Sequence, residues 1–272
     1  MNNPFSLEGK VAVVTGAGGV LCAEISMGLA KAGAKVALLD LRKDAAQAAA
    51  DKITAAGFDA AAFECNVLER ESIEAAKDAV LAKFGKVDIL LNGAGGNHPK
   101  GSTSAEMKFF DMPPEAIQFV FNLNIIGTIM PTQVFGKLFA EQGEGCVVNI
   151  SSMAADRPLT RTVAYSAAKA GVTNFTQWMA THFSKEYSPN IRVNAIAPGF
   201  LLTQQNYYLM IDEKTGGNTP RGEDVLRNTP MNRFGEPEEL VGGVVFLCSD
   251  AAKFVTGIVM PIDGGYSAFS GV

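Results

Sequence analysis

The sequence predicts an α/β protein built on a parallel sheet with helices on both faces, and three observations carry that reading. Alanine-rich helical stretches end at a glycine and are followed by a short apolar run, several times along the 272 residues. Glycine just past a helix end tolerates the left-handed backbone that closes it. The apolar runs lack polar alternation, as expected of strands covered on both faces. No linker interrupts the rhythm, so one domain over residues 1–272 with right-handed βαβ crossovers is expected.

The first strand is expected at Lys10–Val14, leading through Thr15-Gly16-Ala17-Gly18-Gly19 into a helix that ends near Ala32. Gly33 then precedes the run Val36–Leu39, and Gly57 precedes Ala60–Phe63. Gly85 comes before Val87–Leu91, and Gly143 before Cys146–Ile150. Ile191–Ile196 and Ile258–Ile262 bring the candidate strands to seven. Pro131 lies inside a helical pattern from Glu115 to Ala140, where its missing N–H should kink the helix. Two stretches fit the rhythm poorly, at about 93–113 and 199–235. Both follow carboxyl ends of strands, where open α/β sheets bind ligands, so they are the expected substrate loops.

Composition narrows the function classes. A hydrophobic content of 47% with 19% charged residues is ordinary for a compact soluble protein. A net charge of −5 argues against a nucleic-acid partner, which would favour a basic face. Cys22, Cys65, Cys146 and Cys248 form no CxxC pair and are not spaced with His98 or His182 as metal ligands. No metal is expected, and the thiols read as buried and reduced in a cytoplasmic protein. The N-terminus lacks a secretory pattern, and no apolar run is long enough to span a bilayer, so no membrane partner is expected.

The chemistry-bearing residues cluster at the strand ends. Tyr165 and Lys169 are four apart in AYSAAKAG, so a helix starting near Val163 puts them on one face. An ammonium there stabilises a phenolate and is expected to lower the tyrosine pKa from about 10. Ser152, thirteen residues earlier, would hold the oxygen that exchanges the proton. At the other end of the sheet edge, Gly16, Gly18 and Gly19, with Val20 and Leu21 opening the helix, suit close approach of a pyrophosphate to a helix N-terminus. Asp40 ends the second strand, 24 residues beyond Gly16, where an acid accepts from ribose hydroxyls and repels a 2′-phosphate. NAD is therefore expected over NADP. Asn66-Val67 and Asn92-Gly93-Ala94 bring amide-bearing and small residues to the same edge.

TGAGG after the first strand, NGAG after the fourth, Asn124 in NIIG, ISS before YSAAK and NAIAPG after the sixth strand together resemble the short-chain dehydrogenase/reductase family. The resemblance spans essentially the whole chain. It implies a seven-stranded Rossmann fold and a tetrad of Asn124, Ser152, Tyr165 and Lys169, with Asn124 holding a water that joins Lys169 to solvent. It also implies cofactor contacts at Pro198, Gly199 and Thr203, and a homotetramer packed through the helices after strands four and five and the C-terminal strand. One departure stands out: the family's TGxxxGxG places its later glycines where this chain has Val20 and Cys22.

Substrate residues are sought in the loop after NGAG, at Asn97, His98 and Lys100, and between Ser152 and Tyr165, at Arg157 and Arg161. Such cations suit a carboxylate, which guanidinium binds bidentately. NGAGGNHPK, TGAGGVLC, TPRGEDVLRNTPMNRFGEPEEL and FSGV resemble the D-mannonate oxidoreductases of the short-chain type, in which Val20 and Cys22 are part of the pattern. That implies a small sugar-acid substrate, D-mannonate exchanging with D-fructuronate. A gluconate 5-dehydrogenase-like reaction is the enzymatic alternative, and a non-catalytic nucleotide-binding sensor or scaffold the alternative of another class.

Overall fold

Seven strands form a single sheet in the order β3-β2-β1-β4-β5-β6-β7, and every neighbouring pair is parallel. The structure, a computed structural model, describes residues 3–203 and 206–271. The strands are β1 Val11–Thr15, β2 Lys35–Asp40, β3 Ala60–Glu64, β4 Ile89–Asn92, β5 Gly145–Ile150, β6 Ile191–Pro198 and β7 Val259–Ile262. Each expected strand is present, and bounds move by at most a few residues. The order in which successive strands are added reverses at β1, whose neighbours are β2 and β4, and that switch point opens a crevice at the carboxyl ends.

Both faces of the sheet are covered, which is why the strands carry no polar alternation. Ala12, Val14, Val36 and Leu38 point into one core, together with Ile25 and Leu29 of α1 (Val20–Lys31) and Val244 of α9 (Glu239–Cys248). Val11, Val13, Ala37 and Leu39 point into the other, with Ile73 of α3 (Arg70–Phe84), Phe135 of α5 (Gly127–Gln142) and Phe183 of α6 (Val163–Glu186). The remaining helices are α2 Lys43–Ala55, α4 Pro114–Phe121, α7 Tyr207–Met210 and α8 Pro220–Arg227. The two irregular loops hold only short elements: two 3₁₀ turns at Pro99–Gly101 and Phe109–Asp111, and the helices α7 and α8.

Two findings differ from the sequence expectations. The helical disturbance expected at Pro131 is a π-helical turn, Asn122–Ile126, one turn earlier, joining α4 to α5. Its cause is long-range: Asn124 Nδ2 donates to Gly96 O and to Val120 O, 2.7 Å each. Thr128 and Thr132 hydroxyls donate to the carbonyls of Asn124 and Thr128, so the freed backbone acceptors are satisfied from within the helix. Because this turn fuses two helices, residues Pro114–Gln142 run unbroken for 29 residues. That run, contrary to the sequence expectation, is long and apolar enough to cross a membrane by length and composition alone. Half of its most apolar window is buried in the protein, as in a core helix.

Candidate active site

The site is a cleft of about 480 Å³ along the carboxyl ends of β1, β4, β5 and β6. Gly16, Gly19, Val20, Leu21, Asp40, Gly93, Ala94, Ser152, Tyr165, Lys169, Pro198, Gly199 and Thr203 all line it. Most residues singled out for cofactor and proton chemistry therefore share one space.

Its floor is fixed by the turn after β1. Gly16 has φ +66°, and a Cβ there would lie 2.8 Å from Ala94 Cα, so only glycine permits the two loops to touch. Thr15 Oγ1 accepts from the amides of Gly93 and Ala94, at 3.1 and 3.2 Å, tying the tips of β1 and β4 together. Cys22 and Val20, where the family has glycine, are accommodated differently. Cys22 is buried with its sulfur against Gly93, in the space a side chain at 93 would need, while Val20 stays half-exposed on the rim. Burial pushes the Cys22 thiol up to about 12.

The cleft has the features an anionic dinucleotide requires. The N-cap of α1, Gly19, makes no side-chain cap hydrogen bond, and no acidic residue occupies the first turn. The opening amides of that helix thus face the cleft with the positive end of its dipole. Asp40 Oδ2 accepts from Gly18 N and Oδ1 from Arg42 N, both at 2.9 Å, so its carboxylate is held at the far end of the same cleft.

At the other end, the tip of β5 and the first turns of α6 meet. Lys169 Nζ donates to Ile150 O at 2.7 Å and sits 5.6 Å from the Tyr165 ring centroid. Ile150 ends β5, and Ser152 follows two residues later, capping a 3₁₀ turn by accepting from Ala154 N. The three groups therefore converge because one strand end and one helix face are packed together. Burial depresses Lys169 to about 8, and the nearby Cys22 partly opposes this. Tyr165 differs from the expectation: burial holds its pKa above the ordinary value, and a hydrogen bond with Ser152 works in the opposite direction. Spacing alone overstated the lysine's help, because the enclosure that brings the pair together also strips water from both. Asn124 is fully buried in the π turn, and its Oδ1 accepts from Gly96 N at 3.2 Å. A Cβ on Gly95 would lie 2.9 Å from Asn124 Oδ1 and 3.3 Å from Lys169 Nζ, so that backbone separates the two side chains by little more than its own width.

Other candidates lie outside the cleft lining. The Asn92 amide donates to Thr132 Oγ1 and Asn149 Oδ1, 2.9 Å each, and Asn149 in turn donates to Thr176 Oγ1. This is an interior cross-tie between β4, β5, α5 and α6. Asn66 accepts from Leu68 N and donates to Glu69 at the start of α3, and Val67 is buried against Gly127. Among the charged candidates, Arg161 lines a separate depression with Thr103 and Val163. His98 Nδ1 accepts from Lys100 N, its ring packs edge-on against Phe119, and Lys100 itself is exposed. Asn97 donates to Ser102 Oγ. Arg157 Nε donates to Ser267 O at 3.2 Å in the C-terminal segment, where Tyr266 packs on Phe200 of the cleft wall.

Several cleft residues escaped the sequence reading. Arg42 and Ser151 line it, the latter sharing a 2.7 Å hydrogen bond with Thr173. Asn206 also lines it and gathers the loop after β6: its Oδ1 accepts from Thr203 N, and its Nδ2 donates to Leu201 O. Only the adjacency of Ser151 and Arg42 to the chosen residues offered a signal. Asn206 offered none.

Comparison with known proteins gives this geometry a family. The sequence profile described as enoyl-(acyl carrier protein) reductase matches residues 17–267. A crystal structure from Haemophilus influenza, provisionally named a D-mannonate oxidoreductase and containing bound NAD, matches with a TM-score of 0.92 at 48% identity over 98% of each protein. An uncharacterized oxidoreductase of Bacillus subtilis strain 168 is 46% identical over 98% of each protein. A 2-dehydro-3-deoxy-D-gluconate 5-dehydrogenase of Escherichia coli K12 is 35% identical, covering 97% of this protein and 98% of its own length. The protein belongs to the short-chain dehydrogenase/reductase family, NAD(P)-dependent oxidoreductases that act on CH–OH groups.

Proposed function

We propose that the protein is an NAD-dependent dehydrogenase that interconverts a sugar-acid secondary alcohol and its ketone, with D-mannonate and D-fructuronate as the pair. The observation that carries the reaction is the meeting of Ser152, Tyr165 and Lys169 at one end of a cleft whose other end presents Asp40. The choice of substrate rests on likeness to the Haemophilus influenza neighbour and the name it bears. The likeness to the Escherichia coli 5-dehydrogenase favours a gluconate-type reaction as the second reading.

A bound NAD would supply the hydride acceptor for the alcohol carbon. The α1 N-terminus and Gly16–Leu21 would hold its pyrophosphate, Asp40 its adenosine ribose, and Pro198, Gly199 and Thr203 its nicotinamide end. Tyr165 takes the hydroxyl proton in oxidation and returns it in reduction. Ser152 Oγ fixes the substrate oxygen beside the phenol. Lys169, held on the Ile150 carbonyl, keeps a positive charge below pH of about 8, favouring the phenolate that proton uptake requires. Asn124 fixes the Gly96 turn that walls this end, and we assign it the water that joins Lys169 to solvent.

The substrate carboxylate is assigned to Arg157. Its Nε donates to Ser267 O and lies 3.6 Å from Asp156 Oδ2, which leaves the terminal nitrogens for a bidentate contact. The assembly is read as a homotetramer packed partly through α5 and α6. There Trp178 is 58% exposed and stacks on His182 at 4.6 Å, with Tyr187 edge-on beyond it. The four free cysteines fit a reducing compartment, the cytoplasm. Following absorbance at 340 nm with NAD across a panel of aldonates tests the reading. Turnover of D-mannonate above all others is expected; activity confined to uncharged alcohols would overturn the sugar-acid assignment.

A further inference from the structure

Cys146 and Cys248 are 102 residues apart in sequence, yet they line one cavity at the end of the sheet opposite the cleft. Cys146 is the second residue of β5, and Cys248 is the last of α9, which packs on that strand. The Cys146 thiol donates to Leu247 O at 3.4 Å, the carbonyl immediately before Cys248. Both line a cavity of about 230 Å³ whose charged lining is Arg192, Lys10 and Lys253 together with Asp88, Glu144 and Asp250.

Arg192 makes this pair different from two inert core thiols. It sits opposite Cys146 in the β5–β6 register, and its guanidinium is buried. Lys10 pairs with Asp88 and Lys253 with Asp250, but among the described residues Arg192 forms no ion pair. It donates instead to carbonyls at the end of α9: Nη1 to Leu247 O at 2.7 Å and Nη2 to Ser249 O at 3.3 Å. A buried guanidinium without a carboxylate, beside a thiol, is an environment that favours thiolate. In keeping with this, the interaction with Cys248, followed by the charges of Arg192 and Lys10, holds Cys146 below the ordinary thiol value against the effect of burial. Its partner Cys248 is pushed the other way, by the interaction with Cys146 and then by burial, and burial pushes Cys22 up to about 12 and Cys65 up to about 11.

We propose that Cys146 and Cys248 form a dithiol that hydroperoxides oxidise to a disulfide, a modification site remote from the catalytic cleft. The Cys146 sulfur attacks one peroxide oxygen: an S–O bond forms, the O–O bond breaks, and the departing oxygen leaves as water carrying the thiol proton. The Cys248 sulfur then attacks the sulfenic sulfur: the S–S bond forms, the S–O bond breaks, and the second oxygen leaves as water with the Cys248 proton. Two thiols lose two electrons, and one hydrogen peroxide becomes two waters. The cavity gives a small peroxide its route to sulfurs that are otherwise buried.

The test is hydrogen peroxide at one equivalent per protein molecule, followed by alkylation, thiol counting in denaturant and peptide mapping. The free thiols are expected to fall from four to two, with a Cys146–Cys248 cross-linked peptide that dithiothreitol reverses. In Cys248→Ser the reaction is expected to stop at a sulfenic acid on Cys146, trapped by dimedone. Cys146→Ser is expected to leave Cys248 unmodified at the same dose. A linkage through Cys22 or Cys65, equal loss of all thiols, or four intact thiols in the parent protein would overturn the proposal. None of these outcomes depends on the substrate of the cleft.

Discussion

At the inner end of the cleft, the working side chains are held by the backbone of regular structure. Lys169 hangs from the last carbonyl of β5, Ser152 caps the turn that follows, and Tyr165 rides on α6. At the mouth the candidate cations are held by loops or by nothing: Lys100 is exposed, Arg161 faces another depression, and Arg157 reaches a tail carbonyl. The contrast teaches that reaction type is built into the scaffold, whereas substrate choice is carried by parts that change without disturbing it. Relatives that share the fold can therefore act on different alcohols.

Four experiments probe that contrast, beginning at the inner end. Tyr165→Phe is expected to lower kcat by about 10²–10⁴-fold with far-UV circular dichroism and NAD binding unchanged, since only a positioned proton carrier is lost. A modest loss would mean that the scaffold does not fix the chemistry. Asp40→Ala removes a charged acceptor at the far end. The NAD-over-NADP preference in kcat/KM should fall by about tenfold to a hundredfold, the worth of charge-assisted hydrogen bonds of about 1.5–3 kcal/mol. An unchanged ratio would remove Asp40 from cofactor choice.

Lys169→Met should abolish turnover and also reveal what the buried ammonium costs. The folded pKa of about 8 lies below the ordinary 10.5 of an unfolded lysine. Below pH 8 both states are charged and the burial cost is complete, on the order of 3 kcal/mol as an upper figure. Between 8 and 10.5 the folded state releases its proton first, so the parent protein gains stability as pH rises. The Tm of Lys169→Met relative to the parent should therefore decline from pH 7 to pH 9.5. A constant difference would show that the lysine stays charged in the fold across that range, as a solvated ammonium would. At the mouth, Arg157→Ala should raise KM for an aldonate several-fold while leaving kcat nearly unchanged, as for an exposed ion pair worth about 0.2–1 kcal/mol. A fall in kcat with KM unaltered would contradict the division of labour between the two ends.

How much of this was legible beforehand depends on the range of the interactions involved. The strands, the helix opening at Val163 and the turn at Gly16 follow from local pattern, because apolar runs and glycines act over a few residues. The direction taken by Asn92 did not: in a strand covered on both sides, polarity gives no sign of which face a residue turns to, and its amide turned inward to Thr132 and Asn149. The π turn escaped because Asn124 is drawn to Gly96, 28 residues away in the sequence. The Cys146–Cys248 approach escaped for the same reason. Arg161 looked equivalent to Arg157 in sequence, yet its backbone φ of +72° and its place beside Thr103 and Val163 set it facing elsewhere.

The hydroxyl of Thr15, shared between two amides of the neighbouring loop, rivets the central strand tips before any ligand arrives. Nucleotide capture then meets a seat already shaped on this side, and on the other Asn206 ties Leu201 and Thr203 together. Loosening that rivet by Thr15→Val would weaken both halves of the seat together, a loss no contact with the nucleotide itself would explain.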